Sequence, residues 1–191
     1  MVDQEGYRLP EMVSIHVMLL IFMIVFAIIG AMRGWAKELL VMFSIVLALF
    51  TLTVLENYVP FYQETIKTAK PTTVFWIKTS ILTALVFFGY QTPKLPKLAE
   101  SGRFVRHLLQ DALLGTVLGA VNGFLVFGTI WYYLHQAAYP FAFVLPPDAA
   151  TESGKAALSW LKVLPPEWLM STPAIFFAVA ICFVFVIVVF I

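Results

Sequence analysis

Charge is what this sequence has least of. Only 12% of its 191 residues are Asp, Glu, Lys or Arg, against about 25% in a soluble domain, so water is not its main solvent. The two signs nearly cancel, with 12 Lys and Arg against 11 Asp and Glu. That balance excludes the basic excess with which a nucleic-acid binder neutralises phosphates. Cysteine is almost absent: Cys182 stands alone in an apolar run, which excludes an intrachain disulfide and a thiolate metal cluster. G-x-S-x-G, P-loop and H-E-x-x-H motifs are missing, and the loops hold no cluster of nucleophile, base and oxyanion donors. The chain reads as non-enzymatic. A basic leader is missing too, because Asp3, Glu5 and Glu11 outnumber Arg8, the reverse of a secretory signal peptide. The first apolar segment is expected to remain, and Val2 in place of glycine excludes myristoylation.

Apolar surface is what the sequence has in excess: 61% of residues are hydrophobic, 18 of them Phe, more than a soluble core of this size hides. The fold class expected is an all-α integral membrane protein with about five transmembrane helices, a four-helix core plus a C-terminal span, and interfacial amphipathic helices. Spans are expected at residues 12–32, 39–55, 74–90, 112–134 and 174–191, each of the length that crosses hydrocarbon at about 1.5 Å per residue. Residues 33–38 read as a tight polar connector and 56–73 as a loop broken by Pro60 and Pro71. Lys78, about one turn inside the third span, reads as a snorkelling side chain.

Arg103, Arg106, His107 and Gln110 share one face ahead of the fourth span, an interfacial helical turn feeding into it. Three regions follow: 1–134 as a four-span domain, 135–173 as a proline-bracketed loop, and 174–191 as the last span. In that loop Ala157, Trp160, Leu161 and Leu164 recur at helical spacing, which predicts a helix lying on the membrane surface. The last span ends at Ile191 without an interfacial anchor, so truncation is expected. Arg33, Lys37, Lys94, Lys97, Arg103 and Arg106 crowd the connectors after spans one and three. By the positive-inside rule this places the N-terminus outside, in a multi-pass plasma (inner) membrane topology.

Gly115, Gly119 and Gly123, spaced by four, leave one face of the fourth span bare for another helix, in this chain or a second one. Asn122 beside them is the strongly polar side chain near the middle of that span and is expected to hydrogen-bond internally or across a helix pair. Arg33 precedes Glu38 and a Leu pair as Arg106 precedes Asp111 and a Leu pair. The expected pairing joins Arg33 or Lys37 to Asp111 and Arg106 to Glu38. His16, His107 and His135 have no second His or Cys at i+3 or i+4, so no metal and no cofactor is expected. A pigment or haem held by His16 is kept as an alternative.

The segment RGWAKELL after the first span, and QDALLGTVLGAVNGFL entering the fourth, resemble the colicin V production protein (CvpA) family of small polytopic inner-membrane proteins. The matching positions are Arg33, Gly34, Glu38, Asp111, Gly115, Gly119 and Gly123, within residues 12–134. Where many relatives carry Arg before the last glycine, this chain has Asn122. The resemblance implies a bacterial inner-membrane protein linked to colicin V production, export and envelope processes. The expected function is helix packing, as a CvpA-like export or envelope factor or an accessory subunit of a larger complex. Its partners are lipid and other proteins, or a second copy on the glycine face. The alternatives are a small oligomeric channel or transporter, and a pigment- or haem-binding subunit.

Overall fold

The computed structural model describes residues 14–91, 104–141 and 144–190. All regular structure among these residues is helical: α1 (Ile15–Arg33), α2 (Trp35–Tyr58), α3 (Pro60–Thr68), α4 (Pro71–Tyr90), α5 (Phe104–Gln136), α6 (Glu152–Leu161), α7 (Pro165–Leu169) and α8 (Ala174–Phe190). Four helices, α1, α2, α4 and α5, are long and apolar enough to cross a membrane; α6–α7 and α8 form a pair bent by 66° that raises the number to five if counted as one broken span. The chain is an all-α protein of multi-pass type. Asp3, Glu5, Arg8 and Glu11, the connector carrying Pro93, Lys94, Pro96, Lys97 and Arg103, and Ile191 lie outside the described residues.

The connector expected at residues 33–38 is one residue long. Gly34 takes φ +84°, a left-handed value that glycine adopts without a Cβ penalty, so α1 stops at Arg33 and α2 starts at Trp35. The region expected as a loop between spans two and three holds α3, and its prolines begin helices: Pro60 and Pro71 occupy the first helical positions of α3 and α4. A missing N–H costs nothing there, because that donor has no intrahelical partner.

α1 and α5 run side by side along their glycines. A methyl group on Gly115 would fall on the Gly30 carbonyl oxygen and one on Gly119 on the Phe26 carbonyl oxygen, while one on Gly123 would lie 3.0 Å from the Met23 Cα. The glycine face is therefore filled by α1 of the same chain. Away from this contact α1 is bare, with Ile21, Ile24, Val25, Ile28 and Met32 exposed. α2 lies at the centre, where Val41, Ile45, Ala48 and Leu49 are fully buried against Leu82, Val86, Leu125 and Val126. α8 descends along α2, with Phe176 edge-on to Phe50 and Phe183 to Phe43.

The apolar stripe of the helix expected on the membrane surface packs on protein. Leu164 is fully buried and Ala157 nearly so. A methyl group on Gly128 would meet Pro165 Cδ at 2.8 Å. Gly128 sits eight residues before the end of α5, about 12 Å along the helix axis, so the α6–α7 corner inserts into the bundle. Two features favour this: Gly128 leaves room for the pyrrolidine, and Pro165 at the first position of α7 lacks an N–H that would otherwise need a partner.

Replacing Gly119 by Ala forces two backbones apart and is expected to lower unfolding stability in detergent by about 1–3 kcal/mol. Val117→Ala, on the exposed face of the same helix, is expected to stay within about 0.5 kcal/mol of the parent. Denaturant titration of the two variants checks both values.

Candidate functional site

Two polar clusters lie at opposite ends of α2. The first forms around the α1–α2 turn. Asp111, from α5, accepts the backbone N–H of Trp35 at 2.9 Å and so caps α2 from another helix, doing what an N-cap side chain does locally. Its carboxylate lies against Gly34, where a methyl group would come within 2.6 Å of an oxygen. Glycine at this position thus serves both the turn and the close approach of the acid.

One turn into α2, Glu38 has no exposed surface. Asn122 donates from Nδ2 to its side-chain Oε2 and to its main-chain carbonyl, both at 2.9 Å. Arg33 Nε stands 3.5 Å from the other carboxylate oxygen, and the guanidinium caps the Tyr90 ring at 4.3 Å from its centroid. It also donates to the Tyr90 carbonyl at 3.4 Å. A buried carboxylate without such partners would cost several kcal/mol. Arg33 thus pairs with Glu38, in place of the expected Asp111, and Asp111 holds main chain. The side chain of Arg106 lies outside the described residues, so its expected pairing with Glu38 does too.

The second cluster is at the far end of α2. Lys78 was expected to snorkel outward; instead it is 8% exposed and turned into the bundle. Its Nζ lies 2.8 Å from Glu56 Oε1, donates to Gln136 Oε1 at 3.2 Å and stands 5.1 Å from the centroid of the Tyr133 ring. With acceptors inside the fold, a charged group gains more by turning inward than by reaching for the surface. Beside it a cavity of about 350 Å³ is lined by Thr53, Glu56, Asn57, Tyr132, Glu167 and Ser171, among others. A second cavity of about 260 Å³, walled by Ile66, Val74 and Phe75, shares Lys78, Tyr133 and Gln136 with it.

The remaining candidates stay apart from both clusters. His16 Nδ1 is 2.7 Å from Ser14 Oγ at the start of α1. No group of three metal-ligating side chains occurs among the described residues. Sequence reasoning missed Gly30, Tyr90, Glu56 and Gln136. A lysine inside a span is a signal of function, and following it would have led to Glu56, since Glu56 near the end of α2 and Lys78 in the first half of α4 flank the same connection.

No family model, no curated protein and no solved structure matches the chain.

Asp111→Ala is expected to remove the cap of α2 and cost about 0.5–2 kcal/mol, whereas Asp111→Asn keeps an acceptor for the Trp35 N–H and should lose less; thermal unfolding of the pair checks the order. On α3, burial and then the nearby Glu56 push the Tyr62 hydroxyl up to about 12 from its ordinary 10. Because the unfolded chain releases this proton first, the neutral hydroxyl stabilises the fold fully below pH 10, and that contribution fades as pH rises toward 12. A ring-labelled tyrosine NMR titration, with Tyr62→Phe for assignment, should show this resonance moving with a midpoint near 12; a midpoint near 10 would contradict it.

Proposed function

We propose that the chain is a non-enzymatic inner-membrane protein that acts through helix packing, as a CvpA-like export or envelope factor or an accessory subunit of a larger membrane complex. The observation that carries this reading is the meeting of the resemblance positions. Gly34 lies against Asp111, Arg33 reaches Glu38, and Gly115 and Gly119 face Gly30, whereas a chance scatter of short motifs over two distant segments has no reason to converge. Asn122, which stands where many relatives have Arg, bonds directly to Glu38. A basic side chain at that position would face the same carboxylate.

The glycine face serves the monomer, so a partner helix must use another surface. α1 offers one along Ile21, Ile24, Val25 and Ile28. The N-terminus-outside orientation belongs to this reading, and it puts the Arg33–Glu38–Asp111 cluster on the cytoplasmic side.

A small transporter is the second reading. It is favoured by the break between α7 and α8, because Glu167 and Ser171 from that break line the larger cavity, and discontinuous helices around a polar site are how many transporters hold substrate.

Purification of the tagged chain in mild detergent from its native membrane, followed by native mass and identification of co-purifying chains, separates the two. A stoichiometric protein partner lost on Ile24→Trp/Ile28→Trp substitution is expected. A lone species that supports flux into liposomes, above protein-free controls, would replace the packing reading by the transport one.

A further inference from the structure

We propose that the cavity beside Lys78 is a binding site for a small zwitterion, a ligand that carries an ammonium and an oxyanion a short chain apart, as in an ethanolamine phosphate head or a free amino acid. The inference is independent of whether the chain works through partner helices.

The walls supply both halves of the recognition. On one side Lys78 presents a buried ammonium at the floor, held by Glu56 at 2.8 Å and Gln136 at 3.2 Å. Its three N–H donors let it keep both contacts and still meet an oxyanion in the cavity. On the other side Glu167, on α7, is exposed and lines the same cavity as Tyr132. Tyr132, half-buried in the same lining, can offer a ring face to a cation, whereas the Tyr133 ring is taken by Lys78.

Net charge decides between ligand classes. The lining carries Lys78 against Glu56 and Glu167, an excess of one negative charge, so a simple anion is opposed. A simple cation would use Glu167 alone and leave the Lys78 ammonium with nothing to bind in the cavity. A zwitterion places each of its ends against the opposite charge. The volume of about 350 Å³ is at the lower end of the range of about 300–1,000 Å³ for small-molecule sites, which fits a head group or amino acid and not a bulky solute. The neighbouring cavity of about 260 Å³, walled by Ile66, Val74 and Phe75, also borders Lys78, Tyr133 and Gln136 and would take the first methylenes of one acyl chain if the zwitterion is a lipid head. Both sources share one chemistry.

The test uses the full chain in detergent, delipidated and then exposed to phosphatidylethanolamine or to phosphatidylglycerol of the same acyl chains, with retained lipid read by native mass spectrometry. Retention of the ethanolamine lipid over the glycerol lipid by about tenfold is expected, the size of one charge-assisted contact. Glu167→Gln, on an exposed side chain, should abolish the preference without disturbing the fold, and Lys78→Met/Glu56→Gln, which removes the ion pair together, should abolish retention. Calorimetric binding of free glycine or glycerophosphoethanolamine to the delipidated chain assigns the site to a solute; retention of the ethanolamine lipid without binding of either free zwitterion assigns it to a lipid head. Equal retention of the two lipids, with no binding of either free zwitterion by calorimetry, would falsify the proposal, as would a preference that survives in both variants.

Discussion

The backbone contact between α1 and α5 is the interaction on which the rest of the fold depends. Lipid tails are as apolar as leucine, so helices in a bilayer gain little from burying apolar side chains against each other and associate instead by close packing and hydrogen bonds. α1 shows this directly, since few of its residues are buried although nearly all are apolar. What holds it is the row formed by Gly30 against Gly115 and Gly119, continued by Gly123 against Met23 and Phe26. Phe22 stacks on Phe127 at 3.6 Å between centroids further along the same seam. That seam fixes where Arg33 ends α1, and hence where Gly34 meets Asp111.

Charge is then distributed by the same logic. Two ion pairs sit at the two ends of α2, Arg33 with Glu38 at one and Lys78 with Glu56 at the other. Between them Val41, Ile45, Leu49 and Leu52 are fully buried. An ion in the middle would need partners that apolar neighbours cannot give, whereas near the ends a charged side chain can be matched by another helix and still lie close to water. The Thr53 hydroxyl, within the apolar stretch, bonds back to the Leu49 carbonyl at 2.9 Å and needs no partner outside its own helix.

Much of this was legible in the sequence. Long uncharged runs give spans because no other arrangement satisfies their backbone, and the glycine spacing marks a contact face whatever the partner. Less legible was everything that depends on which helices meet. Gly30 is a lone glycine in α1 and carries no pattern until α5 is beside it. Lys78 reads as snorkelling when only its own helix is considered, and its inward turn follows from Glu56 and Gln136, which lie far away in sequence. The Ala157, Trp160, Leu161 and Leu164 stripe has the spacing of a surface helix, but Gly128 on α5 and Pro165 at the head of α7 let that stripe pack into protein.

Asn122 shows how a buried acid is accommodated by this geometry. Glu38 is buried whatever stands opposite, so it requires both hydrogen bonds and a compensating charge. In this chain the two needs are met by different residues: Asn122 supplies one uncharged hydrogen bond to the carboxylate and another to the Glu38 main-chain carbonyl, and Arg33 supplies charge from the end of α1 while its guanidinium rests on Tyr90. Each partner comes from a separate helix. The carboxylate therefore ties α1, α2 and α5 together at one point, and the Asp111 cap at the head of α2 fixes the same three segments a turn away. The α1–α2 turn is held by these two acids acting from opposite sides, which explains how a single glycine suffices to reverse the chain there.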